Sequence, residues 1–321
     1  MNNISLGIDI GGTKLALALI NEDGKVINSS IVHNHIHMKE VEVVKYCHKI
    51  TTQIASEINL SIDNIKAIGV GFPGYVQFKT GIILKTTNLE GYKNFPLKET
   101  FEKYFKKKVL IDNDANAQAF AEYKYGAGRG FSDMIFVTVS TGIGSGIIIN
   151  NSVYRGVTGT AGEIGHMIVN IKEDTASKCK CRNNGCLMSY ASGLALPHMA
   201  KKYYSSYKSD YFNEEDIKTE NINGKVLKCG YEQGDELCVE LVSHYADNIA
   251  VGLYNLFQIF NPPLIVLGGG LMKFGDNFLN QIKGKVKILA KDMMFDEMEI
   301  KLSELDSDAG VIGAAAIAVT I

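Results

Sequence analysis

Residues 5–20 read SLGIDIGGTKLALALI, and the order of apolar and glycine residues in this stretch decides the fold class. An apolar run ends at Asp9 and Ile10, a Gly-rich turn follows, and a second apolar run begins directly after it. Short apolar runs on both sides of a turn predict antiparallel strands. A second turn, EDG at 22–24, precedes another strand pattern, so we expect three strands in the first thirty residues.

The same order of elements recurs at 134–156, which read MIFVTVSTGIGSGIIINNSVYRG. A strand, a Gly-rich turn, a strand, a polar turn and another strand follow one another, so the chain reads as a duplicated unit. The remaining pattern predicts helices at 41–57, 97–107 and 308–319 and strands at 65–74, 109–114 and 264–270. This alternation predicts a mixed α/β architecture.

Length and composition narrow the class of protein. The chain has 321 residues, 46% of them hydrophobic, which suggests two domains. Its formal net charge of -2 favours a small-molecule substrate and argues against nucleic acid or an anionic membrane as a partner. No signal peptide or apolar run of membrane-spanning length is visible, so we expect a cytoplasmic location. Thiols stay reduced there, and clustered cysteines then favour metal binding or catalysis.

Three Gly-rich turns could bring backbone N–H groups close to phosphate oxygens: IGGTK (10–14), STGIGSG (140–146) and LGGG (267–270). A Walker loop needs Lys directly after its last Gly, where this chain has Thr13, and a dinucleotide fold needs a helix after its turn. Two turns in duplicated positions instead favour a nucleotide held across a cleft between two lobes. The predicted nucleotide-binding residues are Asp9, Gly11, Gly12, Thr13, Lys14, Thr141, Gly142, Gly268 and Gly269.

Carboxylates follow two of the predicted strands. Asp9, at the end of the first strand, suits Mg²⁺ because hard cations prefer oxygen ligands. The segment IDNDAN at 111–116 also follows a strand, where sites of α/β folds occur. By the residues alone, Asp112 and Asp114 are equally eligible as a general base.

A cysteine cluster follows a histidine in the pattern H-x12-C-x-C-x4-C. One imidazole and three thiolates form a tetrahedral set that suits structural zinc. The alternative is a chance cluster of free thiols. The four predicted ligands are His166, Cys179, Cys181 and Cys186.

The motifs DIGGTK (9–14), GFPG (71–74), DNDAN (112–116), AEYKYGAGRG (121–130), STGIGSG (140–146), GEIGHM (162–167) and CKCRNNGC (179–186) resemble those of the ROK family of sugar kinases and related repressors. The resemblance implies a two-lobed, actin-like ATPase fold of the ribonuclease-H-like type, with residues 1–115 and about 305–321 in the smaller lobe and 116–304 in the larger. It also implies the same four zinc ligands and a homodimer or homotetramer.

The resemblance further selects Asp114 as the general base for an ATP-dependent kinase that phosphorylates a hexose or an N-acetylhexosamine at its 6-hydroxyl. It implies glucokinase or N-acetylmannosamine kinase as the type of activity. The residues that it implies for sugar binding are Gly74, Asn88, Asn113, Asp114, Glu163 and His166.

The cysteine motif departs from the family pattern, because Met188 stands where the family has a sugar-binding glutamate. Met188 leaves open a second function, a non-catalytic sugar sensor or regulator. A third, a DNA-binding repressor, is suggested by the same motifs because the family that they resemble contains both kinases and repressors. The repressors carry a helix-turn-helix domain ahead of the DIGGTK-type motif. Eight residues precede Asp9 here, and we expect no such domain.

Overall fold

The computed structural model describes residues 3–33, 37–86, 89–170, 178–291 and 295–319. Its strands are β1 (Ser5–Ile10), β2 (Lys14–Ile20), β3 (Val26–His33), β4 (Ile68–Phe72), β5 (Tyr75–Gln77), β6 (Ile82–Lys85), β7 (Val109–Asn113), β8 (Met134–Val139), β9 (Ile143–Ile149), β10 (Ser152–Val153), β11 (Leu264–Gly268) and β12 (Glu299–Leu302). Its α-helices are α1 (Glu40–Ser56), α2 (Leu97–Phe105), α3 (Asp114–Tyr125), α4 (Met188–Ala191), α5 (Leu196–Tyr203), α6 (Glu214–Thr219), α7 (Gly224–Glu232), α8 (Glu236–Phe260), α9 (Asp276–Ala290) and α10 (Ala309–Val319).

In the described part of the chain, the first sheet has five strands in the order β3-β2-β1-β4-β7. The three predicted N-terminal strands form its antiparallel part, and β4 and β7 extend it in parallel with β1. Side chains alternate between the faces of a strand. In β1, Leu6, Ile8 and Ile10 are fully buried in one core cluster, whereas Gly7 and Asp9 lie on the opposite face.

Helices cover both faces of this sheet. Helices α1 and α2 pack on the face that carries Leu6 and Ile8, and α3 and α10 pack on the other. Helix α10 consists mostly of small residues because its backbone touches the strands. A Cβ atom at Gly7 would lie 1.9 Å from the carbonyl oxygen of Val311, and one at Gly69 would lie 1.7 Å from that of Ala314. Larger side chains at these positions would force the helix away from the sheet.

The second sheet repeats the topology of the first. Its order is β10-β9-β8-β11-β12, so the three strands of its hairpin region stand in the same relation to the two later strands as in the first sheet. Strands β11 and β12 are parallel, as are β4 and β7. The duplication predicted from residues 5–20 and 134–156 is therefore confirmed at the level of strand order.

The chain divides into two compact units. The first contains residues 1–136, 146–162 and 303–321, and the second contains 137–145 and 163–302. The boundary expected near residue 115 falls inside the first unit, because α3 packs against α10 within that unit. Across the described ranges, we find no helix with the length and apolar character that a membrane span requires.

Candidate active site

Asp9 and Asp114, both in the first unit, lie near the carboxyl ends of the parallel strands β1, β4 and β7. Asp9 of β1 pairs with Gly71 of β4, and Gly71 pairs with Asp112 of β7. Asp114 begins α3 directly after β7, so the strand predicted at 109–114 ends one residue earlier than expected. A Cβ atom at Gly71 would lie 3.6 Å from Oδ1 of Asp9 and 3.5 Å from Cα of Asp114. Gly71 thus lies between the carboxylate of Asp9 and the backbone of Asp114, where a larger residue would crowd both.

The environment of both carboxylates favours their neutral forms. Burial raises the pKa of Asp9 from 3.8 to about 7; the charge of Asp114 raises it too, and Lys14 lowers it. Burial also raises the pKa of Asp114, against the lowering effect of hydrogen bonds from Ala115 and Asn113. A cation bound here would favour the ionised carboxylates, because an opposite charge nearby stabilises the charged form.

Asn113 holds the beginning of α3 in place. Its side-chain oxygen accepts hydrogen bonds from the N–H groups of Ala115 (2.9 Å) and Asn116 (3.2 Å), as an N-cap does. Its side-chain amide donates to the carbonyl oxygen of Gly74 at 3.2 Å. The structure thus brings together Gly74, Asn113 and Asp114, three of the residues predicted to bind sugar. A fourth, Asn88, lies outside the described residues.

Asp112 is engaged differently from Asp114. It is 4% exposed, and its Oδ2 accepts hydrogen bonds from Nε (3.0 Å) and Nη2 (2.6 Å) of Arg155. Its Oδ1 accepts from the N–H of Asn113 (2.8 Å) and the amide of Asn116 (3.1 Å). With two donors on each oxygen, Asp112 has little capacity left to accept a substrate proton. Arg155 is not among the residues predicted from the sequence, because no local pattern relates it to a carboxylate 43 residues earlier.

The Gly-rich turns lie in different units. The turn at Gly11–Thr13 closes the β1–β2 hairpin, with the N–H of Gly11 bonded to the carbonyl oxygen of Lys14 at 2.9 Å. The second unit brings the other two turns together. Gly269 has a φ of +93°, and a Cβ atom there would lie 2.4 Å from the carbonyl oxygen of Val139, immediately before the turn that contains Thr141 and Gly142. The predicted residues Gly268 and Gly269 are therefore neighbours of the STGIGSG turn.

The histidine and cysteine residues of the second unit form one cluster. The main chain pairs Ile168 with Cys186, and the N–H of Leu187 bonds to the carbonyl oxygen of Met167 at 2.9 Å, which brings the cysteine loop beside His166. The Sγ atom of Cys179 lies 3.3 Å from Nδ1 of His166. Across the full set of predicted metal ligands, His166, Cys179, Cys181 and Cys186, the ligand atoms all lie within 4.8 Å of one another.

This cluster fits a tetrahedral metal site. Ligand atoms about 2.3 Å from a tetrahedral zinc ion lie about 3.8 Å apart, close to the separations seen here. Burial lowers the pKa of His166, which favours the neutral imidazole that a metal requires. Since Nδ1 faces the cysteines, Nε2 is left on the side of Glu163, whose Oε2 lies 3.9 Å away.

Met188 packs directly against the residues around His166. Its Cε atom lies 2.9 Å from where a Cβ atom would stand on Gly165 and 3.6 Å from the corresponding position on Gly142. The thioether thus presents an apolar surface between the 3-10 helix that holds His166 and the second Gly-rich turn.

The repeated strand order, with acidic residues at the strand ends and Gly-rich hairpins, defines an actin-like ATPase fold. The model of the ROK family matches residues 5–321, and the chain belongs to this family.

Known proteins similar to this chain include both enzymes and regulators. The glucokinase of Halalkalibacterium halodurans is 32% identical over 96% of this chain and 92% of its own length. The xylose repressor of Caldicellulosiruptor bescii is 30% identical over 98% of this chain and 78% of its own. The solved structure of a ROK family glucokinase from Streptomyces griseus, in complex with glucose and AMPPNP, superimposes with a TM-score of 0.83 at 30% identity, covering 99% of this chain and all of that one.

Proposed function

We propose that this protein is an ATP-dependent sugar kinase that phosphorylates a hexose or an N-acetylhexosamine at its 6-hydroxyl. The observation that carries the proposal is the pair of neighbouring carboxylates, the buried Asp9 and the half-buried Asp114, at the strand ends of a chain similar to glucokinases over nearly its whole length. Phosphoryl transfer depends on positioning and on neutralising charge, which such a site can supply.

Asp114 acts as the general base. It accepts the proton of the 6-hydroxyl as the hydroxyl oxygen bonds to the γ-phosphorus, while the bond to the bridging oxygen breaks and ADP leaves. Burial raises the pKa of Asp114, which makes its carboxylate a stronger proton acceptor than an ordinary aspartate. The four donors on Asp112 argue against that residue as the base.

The nucleotide is bound by the Gly-rich turns. Backbone N–H groups of Gly11, Gly12 and Thr13, and of Thr141 and Gly142, contact phosphates, and Lys14 adds positive charge. Gly268 and Gly269 line the same nucleotide site, which their closeness to Val139 supports. Asp9 would hold Mg²⁺ or its water ligands, and a bound ion would supply positive charge beside the transferred phosphoryl group.

Sugar hydroxyls are bound by Gly74, Asn88, Asn113, Glu163 and His166. The four-residue cluster would hold zinc, and the bound metal would fix the orientation of the His166 imidazole without taking part in phosphoryl transfer. The Nδ1 atom of His166 faces the thiols, so Nε2 is the ring nitrogen that meets the sugar. Met188 offers no hydrogen bond at the position where the family carries a glutamate, which favours a sugar with an apolar substituent on that side.

One assay tests this proposal. ATP consumption is measured with glucose, mannose, fructose, allose, N-acetylglucosamine and N-acetylmannosamine, for the wild type and for Asp114→Asn. We expect phosphorylation of at least one sugar by the wild type, and loss of transfer in Asp114→Asn with sugar affinity largely retained. Near-normal turnover by Asp114→Asn would refute the assignment of the base.

The zinc site has a separate test. We expect chelation of zinc to abolish activity and added zinc to restore it, whereas magnesium alone should not. Full activity in a sample verified to be free of zinc would contradict the role given to the cluster.

A second candidate function is a non-catalytic sugar sensor or regulator, favoured by the 30% identity to a xylose repressor and by Met188. Sugar binding without ATP consumption for any sugar in the panel would favour this alternative. Homodimers or homotetramers, in the cytoplasm, stay predictions for either function.

A further inference from the structure

The guanidinium group of Arg155 contacts Asp112, Val153 and Phe78, all in the first unit. Two of its nitrogens, Nε and Nη2, donate to one oxygen of Asp112, and Nη1 donates to the carbonyl oxygen of Val153 at 3.2 Å. The face of the guanidinium lies on the ring of Phe78, with Cζ 3.6 Å from the ring centroid. A guanidinium held by three hydrogen bonds and an aromatic ring has little freedom to rotate.

Asp112 in turn forms hydrogen bonds with residues on both sides of Asp114. Its second oxygen receives the N–H of Asn113, the residue before Asp114, and the side-chain amide of Asn116, two residues after it. Arg155 fixes the plane of the Asp112 carboxylate because both of its donors converge on the other oxygen. The first turn of α3 is therefore oriented by a carboxylate that Arg155 orients in turn.

Besides orienting Asp112, Arg155 neutralises the negative charge of this buried carboxylate, and the two effects have to be measured separately. Asp112 is 4% exposed, and a buried carboxylate without a partner strongly disfavours folding. Arg155 stabilises the fold by neutralising this charge, whatever it does for Asp114. An ion pair with that single role would matter for stability and leave the chemical step unchanged.

We propose that Arg155 is a positioning residue for phosphoryl transfer, which acts through Asp112 on the direction of the Asp114 carboxylate. This inference rests on the proposed function, in which Asp114 takes the proton of the sugar hydroxyl. A small displacement of a catalytic group can reduce the rate by about 10²-fold. We therefore expect loss of Arg155 to lower kcat by about 10- to 100-fold and to change KM for ATP by less than about twofold.

The test compares Arg155→Met with a matched control and with a double variant. The control is Arg129→Met, which breaks an ion pair with Glu304 whose two side chains are 64% and 52% exposed. The double variant, Asp112→Asn with Arg155→Met, removes both charges and so leaves no unpaired buried carboxylate. Four quantities are measured: kcat, KM for ATP, Tm, and hydrogen exchange of the peptide 109–120.

We expect Arg129→Met to match the wild type throughout. Arg155→Met should show a lower Tm, a lower kcat and faster exchange at the amides of Asn113, Ala115 and Asn116. The double variant should regain most of the Tm, since its buried charge is gone, while its kcat stays low and its exchange stays fast. This separation of Tm from kcat is what a purely structural ion pair would not produce.

Recovery of kcat together with Tm in the double variant would overturn the inference, and so would unchanged exchange of 109–120 in Arg155→Met. Failure of the proposed function has a different signature, because then the wild type would phosphorylate none of the sugars. Hydrogen exchange needs no turnover, so it still decides in that case whether Arg155 positions the segment.

Discussion

Replacing Asp9 by asparagine should make the protein more stable while it removes the proposed magnesium ligand. The carboxylate of Asp9 is 9% exposed, faces the charge of Asp114, and lies against α10, where a Cβ atom on Gly310 would be 2.5 Å from Oδ2. Asparagine has the same shape and cannot ionise. The variant therefore keeps the packing and loses the cost of a buried charge.

The magnitude follows from the pKa of Asp9, which rises from 3.8 to about 7 in the folded chain. A difference of about three units corresponds to about 4 kcal/mol of unfolding free energy, because each unit is worth about 1.4 kcal/mol. The new amide needs a hydrogen-bond partner, and leaving it without one costs about 1–3 kcal/mol. We expect a net gain in the free energy of unfolding of about 1–3 kcal/mol at pH 7.5.

The dependence on pH identifies the cause. Because the pKa is higher in the folded state, the protonated carboxyl stabilises the fold below about pH 4, and this contribution is lost as the pH rises through about 7. The advantage of Asp9→Asn over the wild type should therefore grow by about 2 kcal/mol between pH 5.5 and pH 7.5.

Urea unfolding at pH 5.5, 6.5 and 7.5, without added magnesium or nucleotide, measures this difference. Asp210→Asn is the control, since it makes the same change at an exposed carboxylate. A variant no more stable than the wild type at pH 7.5, or a gain that is the same at every pH, would refute the reasoning. Loss of phosphoryl transfer by Asp9→Asn is expected in the same preparation.

Three further changes probe other parts of the structure. Tyr92→Phe should leave the free energy of unfolding unchanged or raise it by up to about 1–2 kcal/mol, because the buried hydroxyl has no hydrogen-bond partner among the described residues. A clear loss of this free energy in urea unfolding would contradict the expectation. Glu122→Ala should lower the free energy of unfolding by about 3–5 kcal/mol, since this fully buried carboxylate accepts hydrogen bonds from the Ser303 hydroxyl and from three backbone N–H groups. A loss below about 1 kcal/mol would contradict this prediction. Met188→Glu should lower KM for an unsubstituted hexose by about 10- to 100-fold, because a hydrogen bond to a charged group contributes about 1.5–3 kcal/mol. An unchanged KM for every sugar in the panel would reject the proposed role of Met188.

Local sequence patterns by themselves predicted the two Gly-rich hairpins and the histidine–cysteine cluster. Two stretches, 5–20 and 134–149, each carry apolar runs around a Gly-rich turn, and both form the predicted hairpins. The spacing of His166 and the three cysteines predicted a cluster that the structure brings together. These features depend on neighbours close in the chain, or on one short loop, so their residue types and spacing carry the information.

The residue types and their spacing leave Asp112 and Asp114 equivalent, and only the tertiary structure shows the physical difference between them. Arg155 binds Asp112, whereas Asp114 lies near the buried Asp9. Partners separated by 43 or by about 100 residues meet through strand register and helix packing, which no local pattern records. The small residues of α10 predict a closely packed helix, but only the tertiary structure identifies Gly7 and Gly69 of the sheet as the positions that its backbone contacts.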